Sequence, residues 1–89
     1  MVKSLLSHEE TDVLLKKVER QIAEQTFDTS DGESIAQMVE CMGDTRGLVR
    51  LGFAEALGAV GKPAVPFLLE ALANHDNAVV RRAAAKTLT

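Results

Sequence analysis

An internal repeat constrains this chain more than any other feature. Val49-Arg50-Leu51-Gly52-Phe53-Ala54-Glu55-Ala56-Leu57 superposes on Val80-Arg81-Arg82-Ala83-Ala84-Ala85-Lys86-Thr87-Leu88 at a shift of 31 residues. At a shift of 30, Ile35, Met38, Val39 and Met42 fall on Val65, Leu68, Leu69 and Leu72. Asp44 and Asp76 precede the two Val-Arg segments. A period of this size marks a supersecondary unit that cannot bury its apolar face alone and does so by stacking on its neighbour. The repeat therefore predicts a solenoid of helix pairs rather than elements wrapped around one central core.

Helical periodicity runs through the whole chain. Ser7-His8-Glu9-Glu10 is a capping box, and Val13, Leu14, Val18 and Ile22 then mark an apolar stripe that carries helix one to about Gln25. Ser30-Asp31-Gly32-Glu33 repeats the capping pattern and opens helix two, which turns Ile35, Met38, Val39 and Met42 inward and ends at Gly43. Phe27, in the connector, is expected to pack against the helices it joins. Asp44 is expected to cap helix three, whose stripe is Val49, Gly52, Phe53, Ala56, Leu57 and Val60, with Gly61 as its stop. Pro63 and Pro66 fit a fourth helix only if it starts close to Pro63, because first-turn amides have no intrahelical acceptor to lose. Val65, Leu68, Leu69 and Leu72 would then face inward. Asp76 is expected to cap helix five, with Val80, Ala83, Ala84, Thr87 and Leu88 inward. No segment alternates with period two. The predicted fold class is all-α, an α-α superhelix of about five helices. Gly52, Ala54, Ala56 and Ala83 to Ala85 are small where neighbouring helices must approach closely.

Residues 1–89 read as one domain: a capping helix over 1–29, a first repeat over 30–61 and a second over 62–89. The second repeat lacks counterparts of Ala59, Val60 and Gly61. Val79, Val80, Ala83, Ala84 and Leu88 also give helix five apolar residues on more than one side. Both features predict a fragment of a longer array, or self-association through an exposed C-terminal helix.

Composition excludes several classes of function. Ten Lys and Arg stand against 13 Asp and Glu, a net charge of −3. Residues 1–42 hold four basic and nine acidic groups, residues 43–89 six and four. The basic excess of the second half is too small for a phosphate-neutralising surface, and the chain has no Trp or Tyr on which bases would stack, so nucleic acid is not an expected partner. A single cysteine, Cys41, permits no internal disulfide and no zinc cluster, which fits a reducing, cytoplasmic setting. There is no membrane-length apolar run, and Met1 to Leu6 has no leader-like apolar region. Nucleophile elbows, phosphate loops and paired-acid spacings are all missing, so no catalytic residue, metal ligand or cofactor is expected.

The units, a short helix, an Asp-led turn and then Val-Arg-x-x-small-Ala-x-x-Leu, resemble HEAT repeats. More narrowly, Asp44, Val49-Arg50, Ala56-Leu57-Gly58-Ala59-Val60-Gly61 and Pro63-Ala64-Val65-Pro66-Phe67-Leu68 resemble the HEAT-like repeats of cyanobacterial phycobilisome proteins over about residues 33–89. That group includes bilin lyase subunits, phycobilisome-degradation factors and a protein that binds an iron–sulfur assembly scaffold. The resemblance implies that the second helix of each pair lines a concave binding surface. Arg46, Arg50, Glu55, Arg81, Arg82 and Lys86 would form a polar band there. Guanidinium groups engage carboxylates bidentately, so bilin propionates or an acidic client surface would suit Arg50 and Arg81. The alternative is structural, with Asp44, Asp76, Arg50 and Arg81 forming an inter-repeat ladder of caps and ion pairs.

Cys41 reads as a buried small hydrophobe beside Met38 and Met42, and His8 and His75 read as surface histidines. The iron-binding His-Glu motifs of the HEAT-type deoxyhypusine hydroxylase would fall where this chain has Leu51-Gly52 and Arg82-Ala83, so that site is missing. The resulting expectation is a non-catalytic interaction scaffold for a protein client, in phycobiliprotein handling or degradation. The alternatives are part of a phycocyanobilin lyase, and an adaptor for an iron–sulfur assembly scaffold in which Cys41 makes contact.

Overall fold

The computed structural model describes residues 7–89, so the expectation for Met1 to Leu6 lies outside the described residues. Five α-helices follow one another: α1 (His8–Ala23), α2 (Gly32–Cys41), α3 (Gly47–Val60), α4 (Val65–Asn74) and α5 (Ala78–Leu88), with a 3-10 turn (Lys62–Ala64) before α4. No strand occurs among the described residues. The all-α expectation holds.

The helices form two layers. α2 pairs with α3 and α4 with α5, while α1 packs on α3, α3 on α5, and α2 on α4. The second helices thus line up with α1 on one side, and α2 and α4 occupy the other. Val18, Ile35, Met38, Met42, Phe53, Leu57 and Val80 are the largest fully buried side chains, and they come from α1, α2 with its C-cap, α3 and α5. Phe27 packs on this core as expected. Close approach happens where glycine permits it. A Cβ on Gly52 would sit 2.9 Å from a methyl of Leu15 in α1, and one on Gly43 2.9 Å from both Val80 Cγ2 and Asn77 Nδ2.

The helix termini follow the sequence at some ends and depart from it at others. Ser7 and Glu10 form the expected capping box: the Glu10 amide donates to Ser7 Oγ at 3.1 Å and the Ser7 amide to Glu10 Oε1 at 2.9 Å. Gly61 stops α3 with φ 79°, a left-handed conformation that glycine adopts without steric cost. α1 ends at Ala23, and Gln25 takes a positive φ of 59°.

Three expected caps are replaced by neighbours. Asp31, not Ser30, caps α2 by accepting from the Ser34 amide, while Ser30 donates to Asp28. Arg46 and Asn77, not Asp44 and Asp76, occupy the N-cap positions of α3 and α5. On α4, Leu68 and Ala71 are buried, but Val65, Leu69 and Leu72, expected inward, are exposed. Val13, expected on the inward stripe of α1, is 67% exposed, and Thr11 is buried on that helix instead.

Candidate functional site

The two turns that lead into the Val-Arg helices are built alike. In the first, an Asp44 carboxylate oxygen accepts the Arg46 amide at 2.8 Å, and the Asp44 carbonyl accepts Arg50 Nη1 at 2.8 Å. In the second, His75 Nδ1 accepts the Asn77 amide at 3.0 Å, and the His75 carbonyl accepts Arg81 Nη1 at 2.7 Å. The structural counterpart of Asp44 is therefore His75. Asp76 supplies only a second carbonyl to Arg81, at 3.2 Å. Arg50 and Arg81 perform one task, tying the start of a helix to the loop that precedes it by a charge-assisted hydrogen bond.

Using Nδ1 as an acceptor leaves the His75 proton on Nε2, which lies 2.9 Å from Glu40 Oε2 and so links the second turn back to α2. The His75 side chain is only 10% exposed. It is an inter-repeat clasp rather than the surface histidine expected from sequence, and the signal that separates the two is its place in the repeat register.

Arg46 locks α1 onto the stack. Its Nε and Nη2 fork onto the two Asp44 oxygens at 3.0 and 3.1 Å, and its Nη1 reaches Asp12 of α1 at 3.0 Å. These hydrogen bonds from Arg46 are the main reason that the Asp44 carboxyl is held below its ordinary value, and they raise the guanidinium in turn. Asp12 escaped sequence reasoning because its partner is 34 positions away.

The remaining candidates meet in a groove between α3 and α5, a cavity of about 360 Å³. Arg50, Glu55 and Lys86 line it together with Gly47, Leu51, Ala54, Gly58, Ala83 and Thr87. Arg46, Arg81 and Arg82 do not line it. The band expected from sequence is thus divided: Arg46 and Arg81 hold turns, Arg50 both holds a turn and borders the groove, and Glu55 and Lys86 are exposed at its sides. Arg82 is exposed on α5. Leu51, 51% exposed, and Leu48, 84% exposed, add apolar surface to α3. Leu51 was detectable in the sequence as an apolar residue off the inward stripe of its helix.

Chemically, the groove offers a small apolar strip edged by the cations Arg50 and Lys86 and the carboxylate of Glu55, with the Thr87 hydroxyl in its lining. Cys41 is buried, and burial pushes its thiol up to about 11, so it carries little thiolate at neutral pH. Among the described residues, no three His, Cys, Asp or Glu side chains converge in a way that could hold a metal ion.

Comparison with known proteins agrees with this architecture. The model of the family described as HEAT repeats matches residues 2–89, and the chain belongs to the HEAT-repeat family. Over 83 residues, 93% of the chain, it is 46% identical to the bilin biosynthesis protein MpeU of Synechococcus sp. (strain WH8020). The match spans 28% of that relative's length. No solved structure gives a significant match.

Proposed function

We propose that this chain is a non-catalytic scaffold that holds a protein client along the α3–α5 face, and that the client is a phycobiliprotein during pigment handling or disassembly. The groove carries this reading. It lies between the second helices of the two repeats, its strip of Leu51, Ala54 and Ala83 suits an apolar ridge, and Arg50 and Lys86 at its edges suit client carboxylates. The 46% identity to a bilin biosynthesis protein supports the pigment connection. HEAT arrays bind proteins on extended surfaces of this kind.

A second reading, part of a phycocyanobilin lyase, draws on the same relative's name; propionates would then meet Arg50 and Lys86. The iron–sulfur adaptor reading requires contact through Cys41, which is only 7% exposed. The decisive variant is Leu51→Glu combined with Lys86→Glu, because both side chains are exposed and neither holds a turn. Capture of phycobiliprotein from cyanobacterial lysate is expected with the natural chain and lost in the variant, with helical circular dichroism unchanged. Capture that survives the variant sinks the groove assignment. A visible absorbance change on titration with free phycocyanobilin, removed by the same variant, would favour the lyase reading.

None of the helices among the described residues is by itself long and apolar enough to cross a membrane.

A further inference from the structure

The two layers differ in charge as well as in place. α2 and α4, the first helices of the two repeats, hold Glu33, Glu40 and Glu70 and no Lys or Arg, whereas α3 and α5 hold Arg50, Arg81, Arg82 and Lys86 against Glu55 alone. Between α2 and α4 lies a second groove, a cavity of about 250 Å³ in the layer opposite that of the α3–α5 groove. Ala36 and Val39 of α2 and Phe67 and Ala71 of α4 give it an apolar lining. The Phe67 ring reaches across to α2, where a Cβ on Gly32 would sit 3.1 Å from Phe67 Cζ. Glu40 and Glu70 also line this groove, and no described Lys or Arg does. The two glutamates stand at one repeat position, since the shift of 30 that aligns α2 with α4 carries Glu40 onto Glu70. Neighbours hold both carboxylates in place: Glu40 Oε2 meets His75 Nε2 at 2.9 Å, and Glu70 Oε2 accepts Asn74 Nδ2 at 2.8 Å. A carboxylate has about four acceptor sites, so neither bond exhausts it. Glu70 is exposed, and the Glu40 side chain is 31% exposed.

We propose that the α2–α4 groove docks a basic amphipathic helix of a protein partner, which lays an apolar side chain on the lining of Val39, Phe67 and Ala71 and sets one Lys or Arg on each of Glu40 and Glu70. The repeated carboxylate on either side of an apolar groove is what selects this occupant, by charge complementarity. Its spacing follows from helix packing. Matching positions on adjacent helices lie about one interaxial distance apart, roughly 8–10 Å. Residues i and i+7 of a helix are about 10.5 Å apart, at a rise of about 1.5 Å per residue. A helix crossing α2 and α4 therefore meets the two carboxylates with cations seven positions apart, and its residues at i+3 and i+4 fall between them, over the apolar lining. A nucleic acid would bring phosphates against these carboxylates, and an acidic segment would be repelled in the same way. The α3–α5 groove, edged by Arg50 and Lys86, and the α2–α4 groove thus select partners of opposite charge.

The test uses a fluorescently labelled synthetic helix of alanine and glutamine that carries two arginines seven positions apart and leucine at the third and fourth positions between them. Its binding to the full chain is followed by anisotropy. The expected result is binding that weakens as salt is added and falls about tenfold in Glu70→Lys, with helical circular dichroism unchanged. Glu70→Gln, which keeps an acceptor for Asn74 but loses the charge, should fall by less. Glu19→Lys makes the same change of charge at an exposed position of α1 and should bind as the natural chain does. A peptide with serine in place of both leucines should bind more weakly than the parent. The proposal is overturned if the peptide does not bind, or if Glu19→Lys weakens binding as much as Glu70→Lys, because net charge alone then attracts the peptide. It is equally overturned if the serine peptide binds as well as the leucine peptide, because the apolar groove then takes no part.

Discussion

Asp44 shows how much one turn residue can carry. Its side chain, 7% exposed, accepts from the Arg46 amide and guanidinium, and its carbonyl accepts from Arg50. Because its carboxyl titrates below the ordinary value in the folded chain, Asp44 contributes stability that is fully present above the unfolded-state pKa and lost as pH falls through the lower folded value. Urea midpoints measured from about pH 6 to about pH 2 should therefore fall on the acid side, and Arg46→Ala should flatten that fall while lowering the midpoint near neutrality. An unchanged acid limb in Arg46→Ala would mean that the pair does not couple to folding. The turn register was the least legible feature at this scale. Matching identical letters pairs Asp44 with Asp76, but the shift of 31 that aligns the Val-Arg helices sets Asp44 on His75, and the fold does the same, because a carboxylate oxygen and an imidazole nitrogen can each accept the amide two residues on. What repeats is the acceptor, and its identity is free to change.

Among the elements, two glycines predict opposite outcomes. Gly43 follows α2 and lies against α5, and a Cβ there meets the methyl of Val80, which is 1% exposed and has nowhere to move. Gly43→Ala should destabilise the chain by about 1–3 kcal/mol through overpacking. Gly58 lies within α3, and a Cβ added there would have nothing within 4 Å, so Gly58→Ala should stabilise by roughly 0.5–1 kcal/mol through helix propensity. Chemical unfolding of both variants checks the pair; equal effects would refute the close-approach argument. Helix existence and the inward stripes of α2 and α3 were legible because burial on one face of a helix leaves a periodic apolar pattern. α4 shows where that logic stops. Its stripe of Val65, Leu68, Leu69 and Leu72 has the same pattern as that of α2, but only Leu68 is buried. Periodicity records a face suited to burial, and burial itself needs a neighbour.

Across the whole molecule, contacts run from each pair to the next, with α1 and α5 both resting on α3. Val18 of α1 and Val80 of α5 are each 1% exposed, and their truncations should act independently. The stability losses of Val18→Ala and Val80→Ala are expected to sum in the double variant to within about 0.5 kcal/mol, measured in urea. A larger deviation would show that the chain folds around one shared core rather than as stacked neighbours. The helices, their order and the helix-pair repeat are readable from the letters alone, since propensity, capping and apolar period are local. Packing of the helix pairs sets which arginines are occupied with turns, that His75 clasps Glu40, that Arg46 reaches Asp12, and that Leu51, Glu55 and Lys86 border one groove with Arg50. Those facts depend on distances between residues far apart in the chain, and such distances are set by how the pairs stack.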